Sequence, residues 1–116
     1  MSDSLSDLRT TVRAFAHERD WDQFHSPKNL SSALAVEAAE LLEHFQWLTE
    51  EKSKQLPESK LAEVRLEMAD VLIYLVRLAD KLGVDLLSAA HEKIALNAKK
   101  YPVEKAKGSM KKYTEL

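Results

Sequence analysis

"LAVEAAELLEHFQW", residues 34–47, and "EVRLEMADVLIYLVRLAD", residues 63–80, decide the fold. Both are rich enough in Leu, Ala, Val and Ile to read as largely buried helices, yet each carries two acids three positions apart: Glu37 and Glu40, then Glu67 and Asp70. No segment of the chain alternates apolar and polar residues with the period of two that a half-buried strand requires. The spacing therefore predicts an all-α protein, an antiparallel four-helix bundle-like protomer with short connections.

Punctuation sets the helix limits. Ser4 or Ser6 caps a first helix running to about Arg19, where "RDWDQFHSPKN" (19–29) interrupts the pattern with aromatic residues and Pro27. A second helix is predicted from Asn29 or Ser31 to about Trp47. The polar segment "LTEEKSKQLPESK" (48–60) is a connector, and Ser59 caps a third helix from Lys60 to Leu82, closed by Gly83. Asp85 opens a fourth that stops at "KKYP", because the residue before Pro102 is driven away from helical angles. The basic stretch 103–116, "VEKAKGSMKKYTEL", reads as a C-terminal arm or lid on a single domain spanning 1–116.

Composition narrows the class. The 116 residues are 45% hydrophobic and 31% charged with two Gly and three Pro, which suits helices better than a loop-rich sandwich. A net charge of −2 advertises neither a nucleic-acid nor a membrane partner. The absence of Cys excludes disulfides, thiolate metal sites and a thiol nucleophile. The start "MSDSLSDLRT" lacks the marks of a signal peptide, and the longest apolar run, "VLIYLV", is too short to span a bilayer. These features predict a soluble cytoplasmic protein. The second and third helices are apolar around most of their circumference, more than one small chain can cover, so at least a dimer is expected.

Advancing about 100° per residue places Glu37, Glu40, His44 and Trp47 in one stripe of the second helix, and Glu63, Glu67, Asp70, Tyr74, Arg77 and Lys81 in one stripe of the third. A single E-x-x-E is ordinarily a solvated helix face. Two such acidic pairs on consecutive, otherwise apolar helices are not, and residues 30–48 contain no Lys or Arg to neutralise Glu37, Glu40 or Glu43. Four converging carboxylates repel one another and raise their own pKa values unless a cation intervenes. All-oxygen ligands favour Mg²⁺ or Mn²⁺ over Zn²⁺, and Mg²⁺ is commonly shared with substrate phosphates. Glu43 lies off the stripe and is open to a ligand, supporting or merely exposed role.

Lys93, Asn97 and Lys100 share a face of the fourth helix, followed at once by Tyr101 and Pro102, a set suited to polyphosphate oxygens. Trp21, Trp47 and Tyr74 offer flat walls for a nucleobase, a contact worth about 1–3 kcal/mol per base. No carboxylate partner is identifiable in sequence for His25 or His44. Redox di-iron bundles, which also use inward acids, need E-x-x-H on two helices, and no Glu here has His at i+3.

Taken together, "ERDWDQFHSPKNLSSALAVEAAELLEHFQW", "EMADVLIYLVRLADKLGVDL", "NAKKYP" and "KGSMKKYT" resemble the MazG-like all-α nucleoside triphosphate pyrophosphohydrolases, and most closely their dCTP pyrophosphatase branch, from about Leu8 to Thr114. The resemblance implies Mg²⁺-dependent hydrolysis between the α and β phosphates. It implies Glu37, Glu40, Glu67 and Asp70 as metal ligands; of these, Glu40 or Glu67 is the expected catalytic base, a choice that residue order leaves open. Lys93, Asn97, Lys100 and Tyr101 are implied around the phosphates, Trp47 and Tyr74 near the nucleoside, and dimers or tetramers as the assembly. Similar dCTP pyrophosphatases tend to carry a first-helix His where this chain has Val12, and a longer connector after F-Q-W, so base preference is the property this chain can have altered. A non-enzymatic helical adaptor acting through its apolar faces is the alternative expectation.

Overall fold

The structure, a computed structural model, describes residues 4–116. Among them every regular element is helical. They fall into two compact units, one ending at Val84 and the other running from Asp85 to Leu116.

In the first unit, α1 (Leu5–Glu18) begins where Ser4 accepts a hydrogen bond from the Asp7 N–H at 3.1 Å. It ends in a turn whose left-handed residue is Asp20, with φ 56°. The Trp21 N–H reaches back to the Ala16 carbonyl at 2.9 Å and the Asp20 N–H to that of His17 at 3.1 Å, the paired bonds that close a helix through a left-handed residue. A short 3₁₀ turn, Asp22–Phe24, follows.

The second helix starts earlier than its sequence suggests. Pro27, read above as part of a break, occupies the first turn of α2 (Pro27–Glu43), where its missing N–H is no loss, and Ser26 caps the Asn29 N–H at 3.1 Å. It also stops earlier, at Glu43, and residues 44–47 form turns. The helical extrapolation that carried the acidic stripe to Trp47 therefore fails at its last step. The connector is not wholly irregular: Thr49 caps a one-turn helix, α3 (Glu50–Ser53). The long helix α4 (Glu58–Leu82) begins after Pro57, so Ser59 lies inside it rather than capping it. Gly83 ends it at φ 67°, as expected.

α4 packs against α2 and, less extensively, α1. Side chains from the end of α2 meet the start of α4, and those preceding α2 meet its end: His44 lies 3.9 Å from Glu63, and His25 3.1 Å from Arg77. The two helices are thus antiparallel. The core of this unit is small, consisting of Ala16, Leu30, Val64, Val76 and Ala79, with the Arg77 side chain buried among them. Within one chain α2 and α4 are not largely buried, consistent with an apolar circumference larger than one small chain covers. Leu61, Met68, Leu75 and Leu82, each seven residues from the next, are all exposed along α4.

In the second unit, Asp85 caps α5 (Leu86–Lys100) through the Ser88 N–H at 3.0 Å. The segment after Pro102 forms a one-turn helix, α6 (Val103–Ala106), and a terminal 3₁₀ turn, Tyr113–Glu115. The Tyr113 ring stands edge-on to Tyr101 at 6.0 Å, and the Lys100 ammonium lies 4.9 Å from its centroid, so the tail folds back on the end of α5. No helix among the described residues is long and apolar enough to cross a membrane.

Leu30, 1% exposed, is the largest fully buried side chain and sits at the start of α2. Leu30→Ala is expected to lower the unfolding free energy in urea by about 2–5 kcal/mol, the range for opening a cavity in a tight core.

Candidate metal centre and adjoining cavity

Antiparallel pairing of α2 with α4 brings the two acidic pairs face to face. One carboxylate oxygen each from Glu37, Glu67 and Asp70 lies within 4.8 Å of the other two. Glu40 stands outside this trio but acts on both Glu37 and Glu67 by charge and hydrogen bonding. Glu43 is exposed.

The surroundings disfavour charge on Glu37 and Glu67. Glu37 Oε2 and Glu67 Oε2 are buried without a hydrogen-bond partner. Burial first, then the neighbouring Glu40, then Asp70 and Glu67 push the Glu37 pKa up to about 7. Glu67 is raised too, by burial and by Glu40 and Asp70, with His44 pulling the other way. Orphaned carboxylate oxygens beside like charges are what a hard divalent cation would satisfy, so the residues fit Mg²⁺ or Mn²⁺.

His44 caps this cluster. Its two ring nitrogens lie 3.9 Å from Glu63 and 4.0 Å from Glu67, and Lys60 approaches it at 3.4 Å. No carboxylate partner for His44 was legible in residue order because Glu63 and Glu67 come from α4, across the packed pair.

Asp70 also lines a cavity of about 310 Å³ whose other walls include Val12, Phe15, Trp21, His25, Ile73 and Tyr74. Phe15 and Trp21 meet edge-on at 5.7 Å. The cavity is mostly apolar, with an acid from the trio at its margin, a setting for a flat ring attached to an anionic chain. Trp21 and Tyr74 are brought together here. Trp47 is not among its walls: it stands 87% exposed on the turn after α2.

Arg77 also lines this cavity and belongs to an ionic framework that spacing alone did not reveal. Arg77, 3% exposed, donates to Asp22, to Asp80 at 3.5 Å and to His25 Nδ1 at 3.1 Å. Lys81 joins Asp22 at 3.3 Å, and Arg13 of α1 grips Asp80 at 2.5 Å. Burial opposes the Asp22 charge, but hydrogen bonds from Arg77, Lys81 and His17 hold its carboxyl below the usual range. The Arg13 hydrogen bond does the same for Asp80. An open cavity of about 470 Å³ lies on the Arg13, His17 and Lys81 side of this framework. Sequence placed Arg77 and Lys81 on the acidic stripe of the third helix; their partners, in the turn after α1, had no periodic signal.

Lys93, Asn97, Lys100 and Tyr101 belong to the second unit, on α5 and at its end. Lys93, Asn97 and Lys100 are exposed, and Lys100 is held over the Tyr113 ring.

Comparison with known proteins matches residues 33–116 to the MazG-like family. The chain belongs to the MazG-like family. Among its MazG-like relatives, dCTP pyrophosphatase 1 of Homo sapiens is 47% identical over 116 residues, covering 97% of this chain and 68% of that protein. The Mus musculus protein of the same name is 46% identical over 115 residues with the same coverage. Among solved structures, a pyrophosphatase from Archaeoglobus fulgidus superposes with a TM-score of 0.81 at 37% identity, covering 88% of this chain and 95% of that one. The all-α, MazG-like architecture expected from the sequence is thereby shown, and the matched region contains all four acids of the cluster.

The raised carboxyls fix the sign of a pH effect. In metal-free protein the folded state holds protons on Glu37 and Glu67 more tightly than the unfolded chain does. Their contribution to stability is therefore fully present below the ordinary carboxylate pKa, about 4.3, and is lost as pH rises through about 7 for Glu37. Added Mg²⁺ is expected to raise Tm clearly at pH 8 and little at pH 5, where protons already occupy the site. Scanning calorimetry of wild type and Glu37→Gln checks this: the variant should be more stable than wild type at pH 8 without metal and respond weakly to Mg²⁺.

Proposed function

We propose that this chain hydrolyses a nucleoside triphosphate between its α and β phosphates, releasing the monophosphate and pyrophosphate. Mg²⁺ is the proposed cofactor, with Mn²⁺ a possible substitute, and dCTP or a modified dCTP the proposed substrate. The duty is nucleotide-pool cleansing in the cytoplasm by one catalytic domain spanning 1–116. The observation that carries the reading is the carboxylate trio with two buried, unpartnered oxygens, opening through Asp70 onto an aromatic cavity. The names of the MazG-like relatives support it.

In this reading Glu37, Glu67 and Asp70, with Glu40 beside them, hold the metal. Bound Mg²⁺ supplies positive charge for the phosphate oxygens and makes a water more acidic. Glu40, close to the trio but outside it, takes the proton of the attacking water as its oxygen bonds to the α phosphorus. The bond from that phosphorus to the α–β bridging oxygen breaks, and pyrophosphate leaves with the electron pair. Lys93, Asn97, Lys100 and Tyr101 are proposed to bind the phosphates, and Trp21, Tyr74 and Trp47 to contact the nucleoside.

We also propose a homo-oligomer, dimer or tetramer. The seven-residue row Leu61, Met68, Leu75 and Leu82 supports it, because such a row on an exposed helix matches the seam between paired helices. The adaptor alternative draws on the same apolar row but gives the acidic trio no task.

Pyrophosphate release from a panel of triphosphates, with and without Mg²⁺, separates enzyme from adaptor. Turnover should require the metal. Glu40→Ala and Asp70→Ala are each expected to reduce kcat by about 100-fold or more while leaving helical circular dichroism intact. Full activity in either variant overturns its assignment.

A further inference from the structure

Arg77 is the one strongly buried charged side chain among the described residues, and the metal chemistry does not use it. A guanidinium carries only donors and stays protonated. Its Nε–H points at His25 Nδ1 from 3.1 Å, so that nitrogen must offer a lone pair. A doubly protonated imidazole has none, which leaves the neutral ring with its proton on Nε2. The other two arms of the guanidinium are pinned by Asp22 and Asp80, and Asp80 is itself tied to Arg13. Rotation away from His25 would break two ion pairs.

His25 is the one imidazole lining the cavity that also holds Trp21, Tyr74 and Asp70, and its ring centroid lies 6.2 Å from that of Trp21. Among the described residues its Nε2 makes no hydrogen bond. Burial, followed by the positive charges of Arg77 and Lys81, lowers its pKa, with Asp22 partly opposing them. This agrees with the hydrogen-bond geometry.

We propose that the Asp22–Arg77–His25 chain is a positioning device that fixes His25 as the Nε2–H tautomer, so that it donates a hydrogen bond to a ring acceptor of the nucleobase held in the Trp21–Tyr74 cavity. His25 then selects for a base presenting a carbonyl oxygen or unprotonated ring nitrogen at that wall. The ligand rests on the triphosphate reading above; the tautomer does not.

Two measurements test it on the intact chain. Imidazole ¹⁵N–¹H correlation spectra of nucleotide-free protein should show His25 as a single Nε2–H tautomer near neutral pH. Arg77→Met should mix the tautomers and return its pKa toward about 6.5. Equilibrium binding of the non-hydrolysable α,β-imido analogue of dCTP should weaken about ten-fold in His25→Phe, the upper range for one hydrogen bond. The abasic deoxyribose analogue should bind both proteins equally, and His25→Gln, which keeps a donor at that reach, should recover most of the loss. An Nδ1–H tautomer in wild type, or equal weakening of both analogues in His25→Phe, overturns the proposal. Neither wild-type spectra nor His25→Phe disturbs the ion pairs, so a failure of Arg77→Met to fold leaves both tests standing. Base-dependent binding without hydrolysis would sink the pyrophosphohydrolase reading and leave this inference intact.

Discussion

Carboxylates that cannot all be charged at once, yet are held together by the packing of two apolar helices, set the terms for the rest of the molecule. α2 and α4 bury their contact face with Leu30, Val64 and Val76, and that register fixes Glu37 against Glu67 and Asp70. Separating the acids would mean separating the helices. Burial first, and the neighbouring carboxylates after it, instead raise the proton affinity of the site, with the Glu37 pKa pushed up to about 7. A site that holds protons this readily at pH 7 releases them to a cation, which couples metal binding to both stability and chemistry.

The aromatic cavity depends on a second constraint. The turn after α1 is short: backbone bonds from Trp21 to Ala16 and from His25 to Asp22 shape it locally, but none of them reaches α4, where Asp70 sits. The Arg77 guanidinium ties that turn to α4 through Asp22 and His25, while Arg13 and Asp80 tie α1 to the same place. A buried ion network of this kind is a poor source of net stability, since desolvation offsets much of the attraction. Its value lies in direction: each donor has one partner, and the cavity wall inherits that geometry.

Much of this was readable from residue order. The E-x-x-E and E-x-x-D pairs, the Asp85 cap and the Gly83 stop all follow from rules local to a helix, and the structure keeps them. Sequence misjudged features set by contacts between elements. Trp47 fell off its stripe because α2 stops at Glu43, and Pro27 began a helix it was thought to interrupt. His44 gained acidic neighbours from α4, and Arg77 found its partners in a turn with no periodicity. The apolar circumference of α4 was legible, but it reported surface left uncovered in one chain rather than a core within it.

The central claim is that a cation replaces protons on a shared carboxylate cluster. Titration calorimetry with Mg²⁺ near pH 7, repeated in buffers of different ionisation enthalpy, tests it most directly. The account predicts binding accompanied by proton release of about half a proton or more per site, vanishing by about pH 9 as the carboxyls ionise fully. Absence of binding, or binding with no proton exchanged at pH 7, would contradict it.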